Sequence, residues 1–277
     1  MDKKVILITG ASSGIGFETA KILAKQGHIV YGTSRSMARL ENVKEFGIIP
    51  LELDVELDES CVNCVNTIIE KEGKIDILIN NAGYGSYGPI ETVSIENAKK
   101  QFEVNVYGVI RITKLVIPYM RKQKSGRIIN VSSAGGRVTT YLGGWYHASK
   151  YALEALSDSL RMELKDFGIK VSIIEPGGIK SNWGVITADN LLESSKNTPY
   201  EKESKKVAGI YKELYGGNLK LLTSPKVVAK KISKAVNKKH PKTRYLFGFG
   251  AKLMVFAHFI LPNKAFDFIM KNMYKIV

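Results

Sequence analysis

The stretch VILITGASSGIG, residues 5–16, decides the fold, because it joins an apolar run to a glycine-rich turn and then to a helical pattern. Residues 5–9 predict a buried strand. In the turn, Gly10 permits a tight bend, Gly14 lets backbone N–H groups approach a pyrophosphate, and Gly16 lets helix and strand pack closely. The helix N-terminus adds partial positive charge for phosphates. The stretch therefore predicts a dinucleotide-binding turn.

Outward from this turn, short apolar runs alternate with longer amphipathic ones. The apolar runs predict strands at 29–33, 48–53, 75–80, 127–132 and 170–175, and the amphipathic runs predict helices at 16–26, 59–72, 95–122 and 146–167. Strands that are apolar throughout are typical of a sheet covered by helices on both faces. The fold class predicted is α/β, a Rossmann-like doubly wound parallel sheet in three α/β/α layers, forming a single domain.

The pattern changes after Pro176. Residues 178–224 are polar, and a segment of that length predicts a substrate lid with some helix of its own, because most loops in compact domains are far shorter. A basic helix is predicted at 225–239 and a last strand at 244–247. The whole chain, residues 1–277, is expected to form one nucleotide-binding domain with a basic C-terminal extension from about 225.

Charge is concentrated at the C-terminal end. The chain carries 41 Lys and Arg against 26 Asp and Glu, and residues 218–277 hold 13 of the basic residues with one acid. Lysine dominates there, which disfavours a nucleic-acid surface. Two interpretations stay open: a solvated basic face, or peripheral membrane contact in which lysines attract anionic headgroups while residues such as Leu253, Phe256 and Phe259 enter the interface.

Length and composition restrict the class of protein. Hydrophobic residues at 44% and charged residues at 24% exclude a disordered chain. No apolar run approaches the roughly 20 residues of a membrane-spanning helix, and the run at 5–8 is shorter than the core of a secretion signal. These features predict a cytoplasmic protein. If the basic C-terminal end contacts lipid, the protein would lie at the membrane surface.

The end of the second strand predicts which dinucleotide binds. Enzymes that use NAD place Asp or Glu there to bind the ribose 2′-hydroxyl. Here Ser34 stands in that place and Arg35 follows. A carboxylate would repel a 2′-phosphate, whereas a guanidinium can bind one bidentately. The sequence predicts NADP(H) in preference to NAD(H); the alternative is that Arg35 is only a solvated side chain.

Tyr146 and Lys150 lie four residues apart in the segment YHASK and share one face of a predicted helix. A free tyrosine titrates near pH 10, and a nearby ammonium stabilises its phenolate. The pair can therefore act as an acid and base near neutral pH. Such pairs are also common on exposed helices, so the spacing alone does not assign a function.

Six motifs resemble the short-chain dehydrogenase/reductase family in order and spacing. They are TGASSGIG at 9–16, NNAG at 80–83, NVYG at 105–108, NVSS at 130–133, YHASK at 146–150 and Pro-Gly at 176–177. The match covers residues 4–181, and the later part is more loosely similar to the branch that contains 17β-hydroxysteroid and retinol dehydrogenases. The resemblance implies an NAD(P)-dependent oxidoreductase acting on CH–OH groups, and a homodimer or tetramer through the helices from about Ile95 and Tyr146.

The resemblance also implies a catalytic tetrad. Tyr146 would exchange a proton with the substrate oxygen, and Lys150 would lower the pKa of Tyr146 and bind the nicotinamide ribose. Ser133, which has the family spacing that Ser132 lacks, would hold the substrate oxygen. Asn105 would hold a proton-relaying water.

The coenzyme would contact residues from several of these motifs, including Ser181, where the family usually has Thr. The expected set is Gly10, Ser12, Ser13, Gly14, Ile15, Gly16, Arg35, Asp54, Val55, Asn81, Ala82, Gly83, Tyr146, Lys150, Pro176, Gly177, Ile179 and Ser181. Among these, Asp54 and Val55 would contact adenine, and Pro176 would help to hold the nicotinamide.

Bulky residues near Tyr146 predict an apolar pocket, with ordinary packing as the alternative. The candidates are Tyr141, Leu142, Gly143, Gly144, Trp145 and Trp183. The function predicted is interconversion of a secondary alcohol and a ketone or aldehyde, on a steroid-, retinoid- or lipid-like small molecule. The alternative is an NADP-binding regulatory protein without turnover. The intact tetrad disfavours that alternative.

Cys61 and Cys64 form the one CxxC segment, on a predicted helix. A zinc site needs four ligands, and neither a second cysteine pair nor a nearby histidine follows, so no metal is predicted. Because Cys61 shares an apolar stripe with Val65 and Ile68, buried structural thiols are expected; a redox pair near the helix start is the alternative.

Overall fold

The computed structural model describes residues 2–216 and 221–273, and within them seven parallel strands form a central sheet. The strands are β1 (Val5–Ile8), β2 (Ile29–Ser34), β3 (Ile48–Glu52), β4 (Ile77–Asn80), β5 (Gly126–Val131), β6 (Ile169–Pro176) and β7 (Arg244–Phe247). Their order is β3-β2-β1-β4-β5-β6-β7. Residues 217–220 of the predicted lid and 274–277 of the basic end lie outside the described residues.

Both faces of the sheet are buried. In β1, Val5 and Leu7 belong to one apolar core, whereas Ile6 and Ile8 belong to the core on the other face, because successive strand residues point in opposite directions. This explains why the strand sequences are apolar without alternation. The predicted doubly wound α/β sheet in three layers is confirmed.

Helices cover the sheet on both faces and extend beyond it. They are α1 (Gly14–Lys25), α2 (Asp58–Glu72), α3 (Ile95–Phe102), α4 (Gly108–Lys122), α5 (Gly144–Glu163), α6 (Trp183–Ser195), α7 (Glu201–Tyr215), α8 (Pro225–Asn237), α9 (Ala251–Ile260) and α10 (Asn263–Met273). Residues of α1 and α8 complete one core, and residues of α2, α4 and α5 complete the other.

The predicted helix at 95–122 is one helical stretch, with a π-helical turn at Glu103–Tyr107 between α3 and α4. The lid holds α6 and α7. A 3₁₀ segment at Met37–Phe46 and the helices α9 and α10 were not predicted. No helix in the described part of the chain combines the length and apolar character needed to cross a membrane.

Candidate active site

A cavity of about 1020 Å³ opens where the loops after the central strands meet. Parallel α/β sheets form such crevices at the carboxyl ends of strands, where the strand order reverses; here that point lies between β1 and β4. Sixteen of the eighteen residues expected to bind the coenzyme line it, and the exceptions are Gly16 and Asp54.

The glycine turn forms one end of the cavity. Gly10 and Gly14 have φ angles of 68° and 57°, a region that favours glycine. A Cβ at Gly16 would collide with the carbonyl oxygen of Gly10, which explains the need for glycine there although Gly16 does not line the cavity. The Asn81 side chain donates to the carbonyl oxygens of Thr9 and Gly10 at 3.0 and 2.9 Å. Thr9, which was not among the predicted site residues, thus joins the turn to the end of β4.

Arg35 lies on the cavity wall at the end of β2, with its side chain 60% exposed. Its Nη1 is 3.6 Å from Oε1 of Glu56, a contact that leaves the guanidinium largely open to solvent. Arg39, in the 3₁₀ segment after β2, lines the same cavity and was not predicted. Asp54 lies off the cavity wall, where its Oδ1 accepts from the Glu56 backbone N–H at 3.0 Å. Its contact with adenine stays a prediction.

Tyr146 and Ser133 meet at the other end of the cavity. Ser133 follows β5 and Tyr146 lies in the first turn of α5, and their side chains hydrogen-bond each other. Ser132 also borders the cavity, but its side chain interacts with the buried carboxyl group of Glu154. The contact with Tyr146 therefore distinguishes Ser133 from its neighbour.

Burial dominates the titration of Tyr146 and Lys150. It raises the pKa of Tyr146 to about 12, against the lowering effect of the Ser133 hydrogen bond. It lowers the pKa of Lys150 to about 8, and the Glu154 carboxylate opposes that shift. Burial and the Ser133 hydrogen bond are the influences that act on the Tyr146 pKa here, and the lowering effect expected of Lys150 stays a prediction.

Lys150 and Asn105 are fixed by buried hydrogen bonds. The Lys150 ammonium donates to the carbonyl oxygen of Val131 at 3.2 Å. The Asn105 amide donates to Tyr84 O at 2.9 Å and to Ser149 Oγ at 3.1 Å. Asn105 lies in the π-helical turn, behind the cavity wall. Its role in holding a water stays a prediction.

Gly83 lies between these two side chains. A Cβ at Gly83 would be 2.9 Å from Asn105 Oδ1 and 3.7 Å from Lys150 Nζ. A side chain at this position would collide with the Asn105 amide and would take up the space beside the Lys150 ammonium. The NNAG motif thus places an open backbone beside the buried ammonium.

Aromatic side chains form the outer part of the cavity. Trp183 of the lid lies 5.4 Å from the Tyr146 ring, centroid to centroid, and Tyr87 lies 5.7 Å from it. Tyr211 and Tyr215 of α7 also line the cavity. The prediction is confirmed for Trp183, and Tyr87 was missed because it lies in a loop without a motif.

The other pocket candidates lie elsewhere, which corrects the sequence-based expectation. Tyr141, Leu142 and Gly144 line a separate outer cavity. Trp145 packs against Phe102, with ring centroids 6.5 Å apart. For Trp145 the reason is helical geometry: α5 begins at Gly144, so adjacent residues such as Trp145 and Tyr146 point to different sides of the helix.

His147, inside the YHASK motif, and the two cysteines of the CxxC segment have structural surroundings. His147 is buried; its Nε2 accepts from the Thr140 N–H at 3.0 Å, so its Nδ1 donates to Gly135 O at 2.9 Å. Cys61 and Cys64 are buried, as expected, and burial raises the pKa of their thiols to about 11 and about 12. Within the described ranges, no three His, Cys, Asp or Glu side chains are grouped so as to hold a metal ion.

Comparison with known proteins decides the family. The sequence model of the short chain dehydrogenases matches residues 4–189. The chain belongs to the short-chain dehydrogenase/reductase family. It is 39% identical over 250 residues to a 3-ketodihydrosphingosine reductase of Bacteroides thetaiotaomicron, covering 90% of this chain and 89% of the relative. It is 33% identical over 282 residues to retinol dehydrogenase 16 of Rattus norvegicus, covering 96% and 87%.

A solved structure agrees with this assignment. A short-chain dehydrogenase from Streptomyces avermitilis superimposes with a TM-score of 0.80 at 29% identity, covering 99% of this chain and 97% of that one. Members of the short-chain dehydrogenase/reductase family are oxidoreductases that use NAD or NADP. The chain is therefore an oxidoreductase that acts on a small molecule.

The residues present fit a nicotinamide dinucleotide. The first turn of α1 contains no acidic residue, so its N-terminus is open to phosphate. Gly83 leaves space at the buried ammonium of Lys150, at the opposite end of the cavity. Pro176, Gly177, Ile179 and Ser181 line the wall on the β6 side.

Proposed function

We propose that this protein interconverts a secondary alcohol and a ketone or aldehyde, with NADP(H) preferred over NAD(H). One observation carries the proposal: the hydrogen-bonded Tyr146 and Ser133 hydroxyls and the Lys150 ammonium share one cavity with the glycine turn. Bound coenzyme would supply or accept the hydride. The protein would supply the proton and the orientation.

Tyr146 would transfer the proton. With its pKa raised to about 12, the phenol is neutral at pH 7 and holds the proton that reduction of a carbonyl requires. Ser133 already contacts that hydroxyl, so it is placed to hold the same substrate oxygen. In oxidation the proton would pass the other way, and the Lys150 charge would stabilise the phenolate.

Each part of the coenzyme is assigned to residues that line the cavity. The turn at 10–16 would hold the pyrophosphate, with Asn81, Ala82 and Gly83 beside the adenosine. Arg35 would bind the 2′-phosphate, and no carboxylate stands at Ser34 to repel it. Arg39 lines the same wall and adds a second cation.

A bulky apolar molecule of steroid, retinoid or lipid type suits the aromatic wall. Trp183, Tyr87, Tyr211 and Tyr215 present large ring surfaces next to Tyr146. Two relatives are named for ketodihydrosphingosine and for retinol. A substrate of that general class would fit the same wall.

The test is NADPH oxidation, followed at 340 nm, across a panel of short and long-chain ketones and aldehydes. We expect turnover with the purified protein and a loss of about 100-fold or more in Tyr146→Phe, with NADPH affinity nearly unchanged. Tyr151→Phe, on the same helix and 37% exposed, is the matched control. A protein that binds NADPH yet reduces nothing in the panel would instead support the regulatory alternative.

We further propose a homodimer or tetramer through the long helices, and peripheral contact of the basic C-terminal end with a membrane. The oligomer proposal rests on the family resemblance and on exposed apolar side chains of α5 such as Met162. The membrane proposal rests on charge and exposed apolar residues at that end. The cytoplasmic location expected from the sequence stays a prediction.

A further inference from the structure

An exposed apolar face covers the outer side of α9 and α10. We call it the C-terminal apolar face. It consists of Leu253, Phe256, Phe259, Ile260, Phe268, Ile269 and Met273. Leu253, Phe259 and Phe268 are 73, 88 and 71% exposed. Single exposed apolar residues are common, but a group of this size on two successive helices indicates an interaction surface.

The two helices pack against the rest of the protein through buried apolar side chains. Phe266 and Met270 of α10 are buried against Val138, in a cluster that also includes Met254 of α9. The His258 and Phe266 rings lie 4.9 Å apart, centroid to centroid, and join the two helices. The exposed side chains are therefore presented by anchored helices, opposite the buried side.

The same helix α9 borders the active-site cavity. Ala251 and Met254 line that cavity, together with Phe249, which is 45% exposed. The first turns of α9 thus separate the cavity from the apolar face by the width of one helix. A molecule leaving an apolar surface beside α9 would meet the cavity directly.

Charge indicates which surface the face contacts. Lys252, Lys264 and Lys271 are exposed on α9 and α10, and Asp267 is the one acid between residues 251 and 273. Lysines beside apolar side chains suit anionic phospholipid headgroups. With 10 and 11 residues, α9 and α10 are too short to span a bilayer, and they suit the interface instead.

We infer that the C-terminal apolar face rests on an anionic phospholipid surface and that the substrate enters the cavity from it. The first part deepens the membrane contact proposed above by assigning it to named side chains, and the second part rests on the proposed oxidoreductase activity. A second copy of the chain would be the competing occupant. The lysines favour the lipid, because an identical face would bring the same positive charges together.

Vesicle binding tests the surface without turnover. The protein would be sedimented with phosphatidylcholine vesicles with and without phosphatidylglycerol. We expect binding that is stronger with phosphatidylglycerol and weaker in high salt, and at least about tenfold weaker partitioning for Phe256→Ser/Phe259→Ser. Leu57→Ser is the matched control, because Leu57 is 58% exposed at the start of α2, and it should bind like the wild type.

Three results would overturn the lipid assignment. The first is no vesicle binding by the wild type, and the second is equal vesicle binding by the wild type and the double variant. The third is a wild-type oligomer in light scattering that becomes a monomer in the double variant, while neither protein binds vesicles. NADPH affinity would be measured in every variant to show that the fold is intact. Vesicle binding with no turnover would leave the surface standing and refute the proposed function.

Substrate entry is tested by comparing two ketones. Phe256→Ser/Phe259→Ser should raise KM for a long-chain ketone carried in vesicles, while a short water-soluble ketone keeps the wild-type kcat and KM. Neither phenylalanine lines the cavity. Equal loss with both ketones, or no loss with either, would contradict entry from the membrane.

Discussion

Arg35 illustrates how one residue could set coenzyme choice. Its guanidinium touches Glu56 on one side and remains largely exposed on the cavity wall, and Arg39 lines that wall as well. The 2′-phosphate of NADP(H) would accept charge-assisted hydrogen bonds from both arginines. NADH has no such phosphate, so it gains nothing from them.

We expect Arg35→Ala and Arg39→Ala each to weaken NADPH binding by roughly tenfold and to leave NADH binding almost unchanged, since one charged hydrogen bond contributes about 1.5–3 kcal/mol. Fluorescence titration with both coenzymes measures this. Arg121→Ala, whose guanidinium lies over the Phe167 ring away from the cavity, is the control. A wild-type preference for NADH would show that the arginines do not select the coenzyme.

Lys150 gives the site a pH dependence. Burial lowers its pKa to about 8, so the ammonium that would bind the ribose is lost as the pH rises through about 8, while Tyr146 stays protonated. NADPH affinity should therefore fall above that pH. Glu154→Gln removes the carboxylate that opposes the shift, so the fall should begin at lower pH. An identical profile in wild type and Glu154→Gln would exclude this coupling.

Single residues were predictable where a motif fixes them. Tyr146 and Ser133 lie together because the ends of β5 and the start of α5 meet at one edge of the sheet. Arg39 and Tyr87 were not predicted, because a 3₁₀ segment and an irregular loop carry them into the cavity. Irregular backbone of this kind leaves no periodic pattern in the sequence, so its course through the fold could not be predicted.

At the level of elements, Arg244 joins β7 to α5 and β6. Its guanidinium pairs with Glu154 and Asp158 of α5 and with Glu175 of β6. The side chains of Glu154 and Glu175 are 6% and 1% exposed. Loss of the arginine would leave two buried carboxylates without their main counter-charge, because only Arg137 would remain near Glu175.

Arg244→Met should lower the free energy of unfolding by about 3 kcal/mol. Removing the guanidinium from a buried ion pair leaves the partner carboxylates buried without their main counter-charge. Urea unfolding at pH 7 measures the change. Arg161→Met is the control. In its ion pair with Asp158 both side chains are more than one-third exposed, and exposed ion pairs contribute about 1 kcal/mol or less to stability. Equal losses in the two variants would rule out a special role for Arg244.

Elements were predictable in proportion to their periodicity. The strands of the sheet are apolar on both faces, and α2 and α8 have clear apolar sides, so their positions followed from the sequence. The helix α9 is apolar nearly all round, which removes the contrast that marks a helix. The sequence therefore showed apolar residues such as Leu253, Phe256 and Phe259 and not the helix that carries them.

On the scale of the whole molecule, α4 and α5 lie on one face of the sheet and leave apolar side chains in solvent. Leu156 and Met162 of α5 are 37 and 64% exposed, and Tyr107 before α4 is 56% exposed. The C-terminal apolar face lies on other helices, so one surface could serve self-association while the other contacts lipid. A C2 contact through α4 and α5 would bury these residues against their own copies.

We expect light scattering to give the mass of a dimer or tetramer for the wild type, and a smaller mass for Leu156→Glu/Met162→Glu. The glutamates would bring like charges together across a symmetric contact and keep them from water. Leu57→Glu replaces a similarly exposed leucine just before α2 and should keep the wild-type mass. A monomeric wild type, or a double variant of unchanged mass, would mean that these helices do not form the interface, while NADPH binding in each variant shows that the fold survives the substitution.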